Sequence, residues 1–256
     1  MNYLDAVILG LIEGLTEFLP ISSTGHLILT SHILNLAETE FLKSFEIAIQ
    51  LGAICAVVIL FWSTLLKIQV LKKLFVAFLP TAVIGLALYS FIKTHLLGNE
   101  LIVVTALFLG GIALICFEYL HRESHDAVGD IASISYKQAF GIGLFQSIAI
   151  IPGVSRSAAS IMGGLLLGLN RTTIVQFSFL LAVPTMAAAT GLDLLKSYKA
   201  FSFSDAGLLC AGFITAFVVA LLVMRFFLSY VRTRTFIPFG IYRIAIAVLF
   251  FFVFIL

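Results

Sequence analysis

Charged residues are scarce in this chain. Asp, Glu, Lys and Arg together make up 11% of its 256 residues, whereas 61% are hydrophobic. Soluble domains carry about 25% charged and roughly 45–50% apolar residues, so this composition excludes both an ordinary soluble globule and a disordered chain. Together with a mean hydropathy of +1.16, it predicts an integral membrane protein.

Cysteine and net charge are low as well. Cys55, Cys116 and Cys210 lie far apart inside apolar runs, without a paired C-x-x-C spacing. This pattern excludes a secreted disulfide scaffold and argues against a cysteine-rich metal site. A formal net charge of +2 is too small and too scattered to favour a nucleic-acid partner. Because no basic segment precedes the first apolar stretch, we expect that stretch to be retained rather than cleaved as a signal peptide.

Long apolar runs, in contrast, are abundant. They suit helices of about 20 residues that cross a hydrocarbon core of roughly 30 Å, rather than the alternating strands of a barrel. We predict a single all-α polytopic membrane domain over residues 1–256. Its six full transmembrane spans are expected at about 45–62, 74–92, 101–120, 173–194, 206–228 and 236–256.

Two other segments, about 1–35 and 136–170, are apolar but broken by Pro and Gly. We expect them to form re-entrant helical hairpins. GLIEGLTEFLPISSTG in the first aligns loosely with GLFQSIAIIPGVSRSA in the second, and three spans follow each copy. Because three is odd, residues 1–120 and 136–256 are predicted to form an inverted repeat whose broken segments meet near the membrane midplane.

The charges in the loops predict the orientation. The positive-inside rule assigns the side with more Lys and Arg to the cytoplasm, and both termini then face outward. Eight such residues fall on one side and four on the other: Lys67, Lys72, Lys73, Arg122, Lys137, Arg225, Arg232 and Arg234 against Lys43, Lys93, Lys196 and Lys199.

The first broken segment carries two carboxylates and a polar helix start. Glu13 and Glu17 lie four residues apart, so both project from one helix face, and paired carboxylates suit Mg²⁺ or Ca²⁺. An interfacial position in water is the alternative. After Pro20, the residues Ser22, Ser23 and Thr24 open the next helix with free amides and hydroxyls, which predicts an anion site. His26 lies in the first turn of that helix, whereas we expect His32, His95, His121 and His125 to be structural.

The second broken segment contains a similar turn, PGVSRS. Its glycine, Gly153, shapes the turn, Ser155 and Ser157 cap the next helix, and Arg156 supplies a bidentate clamp for a phosphate. The alternative is an ordinary cap with an arginine that snorkels to the headgroups. Gln146 occupies about the place that Glu13 has in the first copy.

Other polar residues give weaker indications. Glu46 and Gln50 share one face at the start of a span and either line a cavity or lie at the interface. We expect Arg243 to snorkel from the last span and Arg171 to mark the cytoplasmic end of the second hairpin. The small-residue run GGLLLG packs helices either within one chain or between two copies, so a homodimer is one possibility.

The two broken segments resemble a known family. EGLTEFLPISSTGH and PGVSRSAAS are similar to the two signature motifs of the undecaprenyl-diphosphate phosphatase family, also called bacitracin-resistance proteins, and FEIAIQLGAICAVV and FSFLLAVPTMAAATGLDLLKS extend the similarity over most of the chain. The resemblance implies hydrolysis of the terminal phosphate of undecaprenyl diphosphate at the outer face of the bacterial plasma membrane, which recycles the lipid carrier for peptidoglycan synthesis. A polyprenyl diphosphate and membrane lipids are the implied partners.

The resemblance also implies roles for individual residues. It links Glu13 and Glu17 to a divalent cation and to catalysis. It assigns Ser22, Ser23, Thr24 and His26 to the first motif, and Gly153, Ser155, Arg156 and Ser157 to the phosphate-binding turn. The second motif of the family usually ends in threonine where this chain has Ser160, which keeps the hydroxyl.

We hypothesise that a cation on Glu13 and Glu17 and the guanidinium of Arg156 clamp the diphosphate. Ser23 is then the first choice for the attacking group, with His26 as its base or as the acid for the leaving group. Two alternative nucleophiles stay open, namely a water activated by Glu17 and His26 itself.

Three other classes compete with an enzyme of this family. A transporter or flippase for a phosphorylated polyprenyl lipid has the same architecture of inverted repeats, but the dense polar set exceeds what a carrier needs to hold an anion. A type 2 phosphatidic-acid phosphatase would have a histidine six residues after Arg156, where this chain has Met162. A noncatalytic scaffold would leave the buried charges without a role.

Overall fold

A computed structural model describes residues 1–37, 39–96, 99–124, 127–197 and 206–255. His125 and Lys199, for which a structural role and an outer-side charge are predicted, lie outside these residues. Within them the chain is helical, apart from one isolated bridge between Val128 and Leu169. The α-helices are α1 (Tyr3–Thr16), α2 (Ser23–Ile33), α3 (Glu40–Leu60), α4 (Trp62–Leu65), α5 (Ile68–Ala87), α6 (Tyr89–Phe91), α7 (Glu100–Leu120), α8 (Tyr136–Ser147), α9 (Arg156–Leu166), α10 (Arg171–Ser197), α11 (Ala206–Tyr230) and α12 (Ile237–Phe250).

Among the described residues, five helices are long and apolar enough to cross a membrane, as expected of an integral membrane protein. They cover Phe41–Leu60, Ile68–Ala87, Glu100–Leu120, Arg171–Gly191 and Ala206–Tyr230, and a shorter apolar helix covers Ile237–Val253. The last predicted span therefore forms a 14-residue α-helix that continues as a π-helical turn, Phe251–Ile255.

The second predicted span begins earlier than its hydropathy indicates. It was expected to start at residue 74, after two lysines, but α5 begins at Ile68. Lys73 is buried and donates a hydrogen bond to the carbonyl of Ala132. Because the ammonium is satisfied inside the protein, it does not end the helix.

The helices of the two broken segments are short. Capping boxes start both segments, with Asn2 and Asp5 at α1 and Ser135 and Gln138 at α8. A 14-residue helix such as α1 is about 21 Å long at about 1.5 Å per residue, whereas a hydrocarbon core measures roughly 30 Å. None of α1, α2, α8 and α9 is longer than α1, so none of them spans such a core alone.

The two halves share their backbone pattern. Helix α8 follows α1 at the same sequence interval at which α9 follows α2. Ser22 and Ser155 are separated by this interval too, and both have a positive φ, of 70° and 76°. A second such pair ends α2 and α9, where Asn35 and Gly168 have φ values of 52° and 86°. The loose sequence similarity thus corresponds to a repeated conformation.

The first helix of each broken segment packs against a long helix of the other half. Helix α1 lies against α11 and α8 against α5, while α7 packs on α12 and α3 on α10. Phe18, just after α1, packs edge-on against Phe179 of α10 with ring centroids 5.2 Å apart. This contact anchors the end of α1 in the core.

The small-residue run of α9 packs within one chain. A Cβ on Gly163 would come 2.4 Å from Phe145, and one on Gly164 would come 2.1 Å from Ile174. Of the two alternatives for this run, packing inside the chain is the one observed.

Candidate functional site

A cavity of about 280 Å³ lies where the two broken segments meet. Turn 1 (residues 17–22) joins α1 to α2, and turn 2 (residues 148–155) joins α8 to α9. Both turns line the cavity, together with α3, α5 and α10. Its polar lining consists of Glu17, Ser22, Ser23, Thr24, Gln50, Thr81, Gln146, Ser155, Arg156 and Thr185, and its other residues are Ala149, Ile150, Ile151, Pro152, Gly153, Met186 and Ala189.

The backbone of both turns is strained where the second helix begins. Ser22 and Ser155 have φ values of 70° and 76°, which side chains with a Cβ rarely adopt. Gly153 has a φ of 93°, and a Cβ there would come 2.5 Å from the carbonyl oxygen of Val103. Residues in such conformations cluster at functional sites. Here they lie where α2 and α9 begin, and both serines line the same cavity.

Ser23, Glu17 and Arg156 form one hydrogen-bonded chain in this cavity. The Ser23 hydroxyl donates to Oε2 of Glu17, and Nη2 of Arg156 lies 3.1 Å from Oε1 of the same carboxylate. Both charged side chains are largely buried, with 8% of Glu17 and 14% of Arg156 exposed. A carboxylate held in this way can accept the serine proton while the guanidinium fixes its position.

One donor of Arg156 has no partner in the described part of the chain. Its Nη1 donates to the carbonyl of Ser178 at 3.0 Å, and its guanidinium lies 5.9 Å from the ring centroid of Phe18. Its Nε is buried, and it has no hydrogen-bond partner among the described residues. An unsatisfied guanidinium nitrogen beside two helix starts favours a phosphate oxygen.

Glu13 is fully buried next to this group but does not line the cavity. Neither of its oxygens has a hydrogen-bond partner in the described part of the chain, and the carboxylates of Glu17 and Glu46 are near enough to repel it. A bare buried carboxylate is costly, so it needs a proton or a cation.

The side chains near Glu13 decide whether a divalent cation could bind at this site. Among the residues that the structure describes, no group of three or more His, Cys, Asp or Glu side chains could hold a metal. Mg²⁺, however, is usually bound through one or two carboxylates, and waters and substrate phosphates complete its shell. Glu13 and Glu17 supply two carboxylates of this kind, and an ion bound between them stays a prediction.

His26 faces away from the cavity. Its Nδ1 lies 2.7 Å from the Ser22 carbonyl, and its Nε2 lies 2.8 Å from the Tyr242 hydroxyl. Because a carbonyl can only accept, Nδ1 carries the proton, and in a neutral ring Nε2 accepts from Tyr242. The ring also stacks on that of Tyr242 at 5.5 Å. The structure therefore brings Ser23 to Glu17 rather than to His26.

Ser157 and Ser160 lie behind turn 2, outside the cavity lining. Ser157 donates to the carbonyl of Phe18 at 2.9 Å and so ties the two halves together. Ser160 lies 2.6 Å from the hydroxyl of Ser178 and also donates to the carbonyl of Arg156. These contacts support Arg156. Direct contact of the two serines with a substrate stays a prediction.

Arg243 does not snorkel, so that expectation was wrong. The side chain is fully buried, and within the described ranges all of its hydrogen bonds go to backbone carbonyls. Arg171 forms an ion pair of 2.7 Å with Glu118 near the end of α7, and its place at the cytoplasmic end of the second hairpin stays a prediction.

Two threonines of the cavity were missed at the sequence level. Thr81 accepts a hydrogen bond of 3.0 Å from Gln146, and Thr185 lies on α10. Each follows a proline inside its helix, Pro80 or Pro184. A proline within a span followed by a hydroxyl was the available signal, because proline frees backbone groups that only a protein or watery environment can satisfy.

Comparison with known proteins adds to this geometry. The sequence pattern of the family described as bacitracin resistance protein BacA matches residues 6–249. An undecaprenyl-diphosphatase of Aquifex aeolicus is 51% identical over 251 residues, which cover 98% of this chain and 98% of the relative. The Persephonella marina protein of the same name is 50% identical, with the same shares covered. A third, from Campylobacter hominis, is 51% identical over 98% of this chain and 99% of its own length.

Proposed function

The chain belongs to the bacitracin resistance protein BacA family, and we infer from this membership that it hydrolyses undecaprenyl diphosphate to undecaprenyl phosphate and inorganic phosphate. This enzyme is a membrane-bound hydrolase. Its reaction recycles the lipid carrier for peptidoglycan synthesis and thereby confers bacitracin resistance. The observation that carries the chemistry is the hydrogen-bonded chain of Ser23, Glu17 and Arg156 in a cavity at two helix starts.

Ser23 is the nucleophile in our proposal, and Glu17 is its base. The Ser23 oxygen attacks the terminal phosphorus while its proton passes to Glu17, to which it is already hydrogen-bonded. The bond from that phosphorus to the bridging oxygen breaks, and undecaprenyl phosphate leaves. Water then releases phosphate from the serine. His26, whose ring is bound to Ser22 and Tyr242, supports the turn instead of taking the proton.

Arg156 and the two helix starts bind the diphosphate. The guanidinium of Arg156, which lines the cavity, and the first amides of α2 and α9 supply donors for the phosphate oxygens. Charge that develops in phosphoryl transfer is stabilised mainly by such fixed groups. Ser22, Thr24, Gly153 and Ser155, which line the same cavity, complete the binding surface.

Glu13 and Glu17 are the residues that would hold a divalent cation, Mg²⁺ or Ca²⁺. When bound, the cation neutralises charge on the phosphate oxygens. The proposal is supported by the burial of Glu13 and by its two oxygens, which lack partners among the described residues.

The arrangement in the membrane is also proposed. The five long helices and α12 cross the bilayer, while α1 with α2 and α8 with α9 form re-entrant hairpins in an inverted repeat. The shortness of these four helices and the matching φ values of Ser22 and Ser155 support this arrangement.

We further propose that the protein resides in the bacterial plasma membrane and that its site opens to the outer face. By the positive-inside rule, the loop charges favour an outer position for the C-terminal ends of α5 and α10. Thr81 in the second half of α5, and Met186 and Ala189 in the second half of α10, line the cavity, which is consistent with an outer opening. A cysteine in place of the exposed Thr94 should react with an impermeant maleimide in intact cells, whereas one in place of Asp130 should react only after permeabilisation.

Membrane lipids surround the helices in this account, and a homodimer stays a prediction to be checked by mass photometry. The function itself is tested by phosphate release from undecaprenyl diphosphate by the purified protein in detergent, with Mg²⁺, with Ca²⁺ and with EDTA. We expect release that needs the cation. No release from folded protein with either cation would contradict the assignment.

A further inference from the structure

Arg243 of α12 uses every donor of its guanidinium on backbone carbonyls. An arginine has five N–H groups, and this side chain is fully buried with five carbonyl partners. Among the described residues, no carboxylate accepts a hydrogen bond from this guanidinium. The bonds run from Nε to Leu107 at 3.3 Å, from Nη1 to Pro20 at 3.2 Å and Val154 at 2.9 Å, and from Nη2 to Ala106 and Gly153 at 3.0 Å each.

The five carbonyls belong to three separate parts of the chain. Pro20 lies in turn 1, three residues before Ser23, whereas Gly153 and Val154 lie in turn 2, directly before Ser155 and Arg156. The other two carbonyls belong to α7. One rigid planar group therefore joins the turn that carries the nucleophile to the turn that carries the phosphate clamp, and it fastens both to a long helix.

We propose that Arg243 is a positioning residue, which sets the distance between the Ser23 side and the Arg156 side of the site. It does not line the cavity, so it acts through the backbone of the two turns and not on the substrate. The proposal rests on the phosphatase function proposed above. It explains why a cation is kept where burial is costly, since the turns leave carbonyls that a planar fork of five donors can satisfy together.

Gly110 of α7 supports this interpretation independently. A Cβ at this position would come 2.0 Å from Nη2 of Arg243 and 2.7 Å from Cζ. Helix α7 thus leaves room for the guanidinium at the one place where a side chain would displace it. An alanine at position 110 keeps the arginine but moves its donors off the carbonyls.

Lysine at position 243 separates geometry from charge. An ammonium keeps the positive charge near the phosphate site, but it has three donors on a single nitrogen and cannot reach five carbonyls of three segments. If Arg243 acted by charge alone, R243K would retain activity. Because Arg243 sets the spacing of the two turns in this proposal, kcat should fall nearly as far in R243K as in R243Q.

The experiment measures kcat and KM for undecaprenyl diphosphate with purified R243K, R243Q, G110A and G110A/R243Q, beside thermal unfolding of each. A displacement of about 1 Å in a site can cost about 100-fold in rate. We therefore expect kcat to fall about 100-fold in R243K and R243Q, with KM changed less than about threefold, in protein that remains folded. R225Q, which alters an exposed arginine of α11, is the matched control and should keep the kcat of the unchanged protein.

The double variant tests whether the two positions act through one contact. G110A alone should lower kcat at least about tenfold. In the R243Q background, G110A should lower kcat by less than about a further threefold, because that background has no guanidinium to displace. A folded R243Q with nearly unchanged kcat, an active R243K, or a full additional effect of G110A in the double variant would each overturn the proposal.

Failure to fold also gives an answer. R243K and G110A keep a cation at the site and provide kinetic values if R243Q cannot be purified. If none of the variants folds, Arg243 is required for folding and the positioning role is overturned. Absence of phosphatase activity in the unchanged protein would instead count against the proposed function, so the two failures are distinguishable.

Discussion

Nη2 of Arg156 lies 3.1 Å from Oε1 of Glu17, so a cation from the second half of the chain neutralises the carboxylate that accepts the Ser23 hydroxyl in the first. Neither half holds a complete site. In the proposed mechanism, the nucleophile and its base come from the end of α1 and the start of α2, whereas the phosphate clamp comes from the start of α9. That mechanism therefore depends on how accurately the two turns are held together.

Arg156→Lys should lower turnover about 100-fold. A lysine has its three donors on one nitrogen, so it cannot reproduce the planar fork that holds the Ser178 carbonyl and Glu17 from two separate nitrogens. Loss of one fixed donor to the phosphate typically costs about 100-fold or more. Phosphate release at saturating substrate measures the effect. Arg225→Lys, at an exposed position, serves as the control. More than half of the original turnover in folded Arg156→Lys would show that bidentate geometry at this position is unimportant.

Glu13→Gln should keep the fold and weaken the dependence on divalent cation. The amide has the same shape without the buried charge, so thermal stability should be unchanged or higher, while the cation concentration for half-maximal activity should rise at least about tenfold. A titration of activity with Mg²⁺ and Ca²⁺ gives both values. Asp130→Asn, an exposed carboxylate, should leave the titration unchanged. The same titration in Glu13→Gln as in the unchanged protein would remove Glu13 from the cation site.

His26→Ala should lower turnover without removing the acid side of the pH–rate profile. The imidazole holds the Ser22 carbonyl and Tyr242, whereas the proton of Ser23 is directed to Glu17. Tyr242→Phe removes one hydrogen bond worth about 1 kcal/mol and should reduce turnover only about fivefold. If His26→Ala abolished the acid limb while Glu17→Gln retained it, His26 would be the base.

Ser22→Gly should raise the free energy of unfolding by about 1 kcal/mol. Ser22 has a φ of 70°, a strained value for serine but not for glycine, and its side chain makes no capping hydrogen bond. Ser155→Gly is the matched comparison. Its hydroxyl accepts from the Ala158 amide at 3.2 Å, so relief of strain is offset by loss of a cap. Thermal unfolding in detergent should rank Ser22→Gly above Ser155→Gly, and the reverse order would contradict the strain argument.

Much of this molecule was predictable from local sequence. Hydropathy located the long helices because a bilayer tolerates few charges, and proline and serine marked the ends of the broken helices. Sequence alone identified Glu13, Glu17, Ser23 and Arg156 as candidates, because polar residues within apolar membrane segments are costly and mark functional sites. The start of α5 was predicted too late because hydropathy treats Lys73 as a loop charge, whereas the distant Ala132 carbonyl accepts a hydrogen bond from it.

The contacts between distant segments were not predictable. Arg243 was expected to snorkel because a single sequence does not show that carbonyls of turn 1, turn 2 and α7 converge on it. Likewise, His26 was paired with Ser23 on grounds of closeness in sequence, but its partner Tyr242 lies on α12. Hydrogen-bond geometry decides between such neighbours, and it depends on the tertiary packing.

The central claim is that Ser23 attacks the terminal phosphorus with Glu17 as its base. The most direct test incubates the protein with terminally ³²P-labelled undecaprenyl diphosphate, quenches it in acid within one turnover, and locates the label by mass spectrometry. The account predicts label on Ser23 in the unchanged protein, none in Ser23→Ala, and a rate of labelling at least about 100-fold lower in Glu17→Gln. Ser23→Ala that releases phosphate at the original rate, with no labelled serine in the unchanged protein, would contradict it.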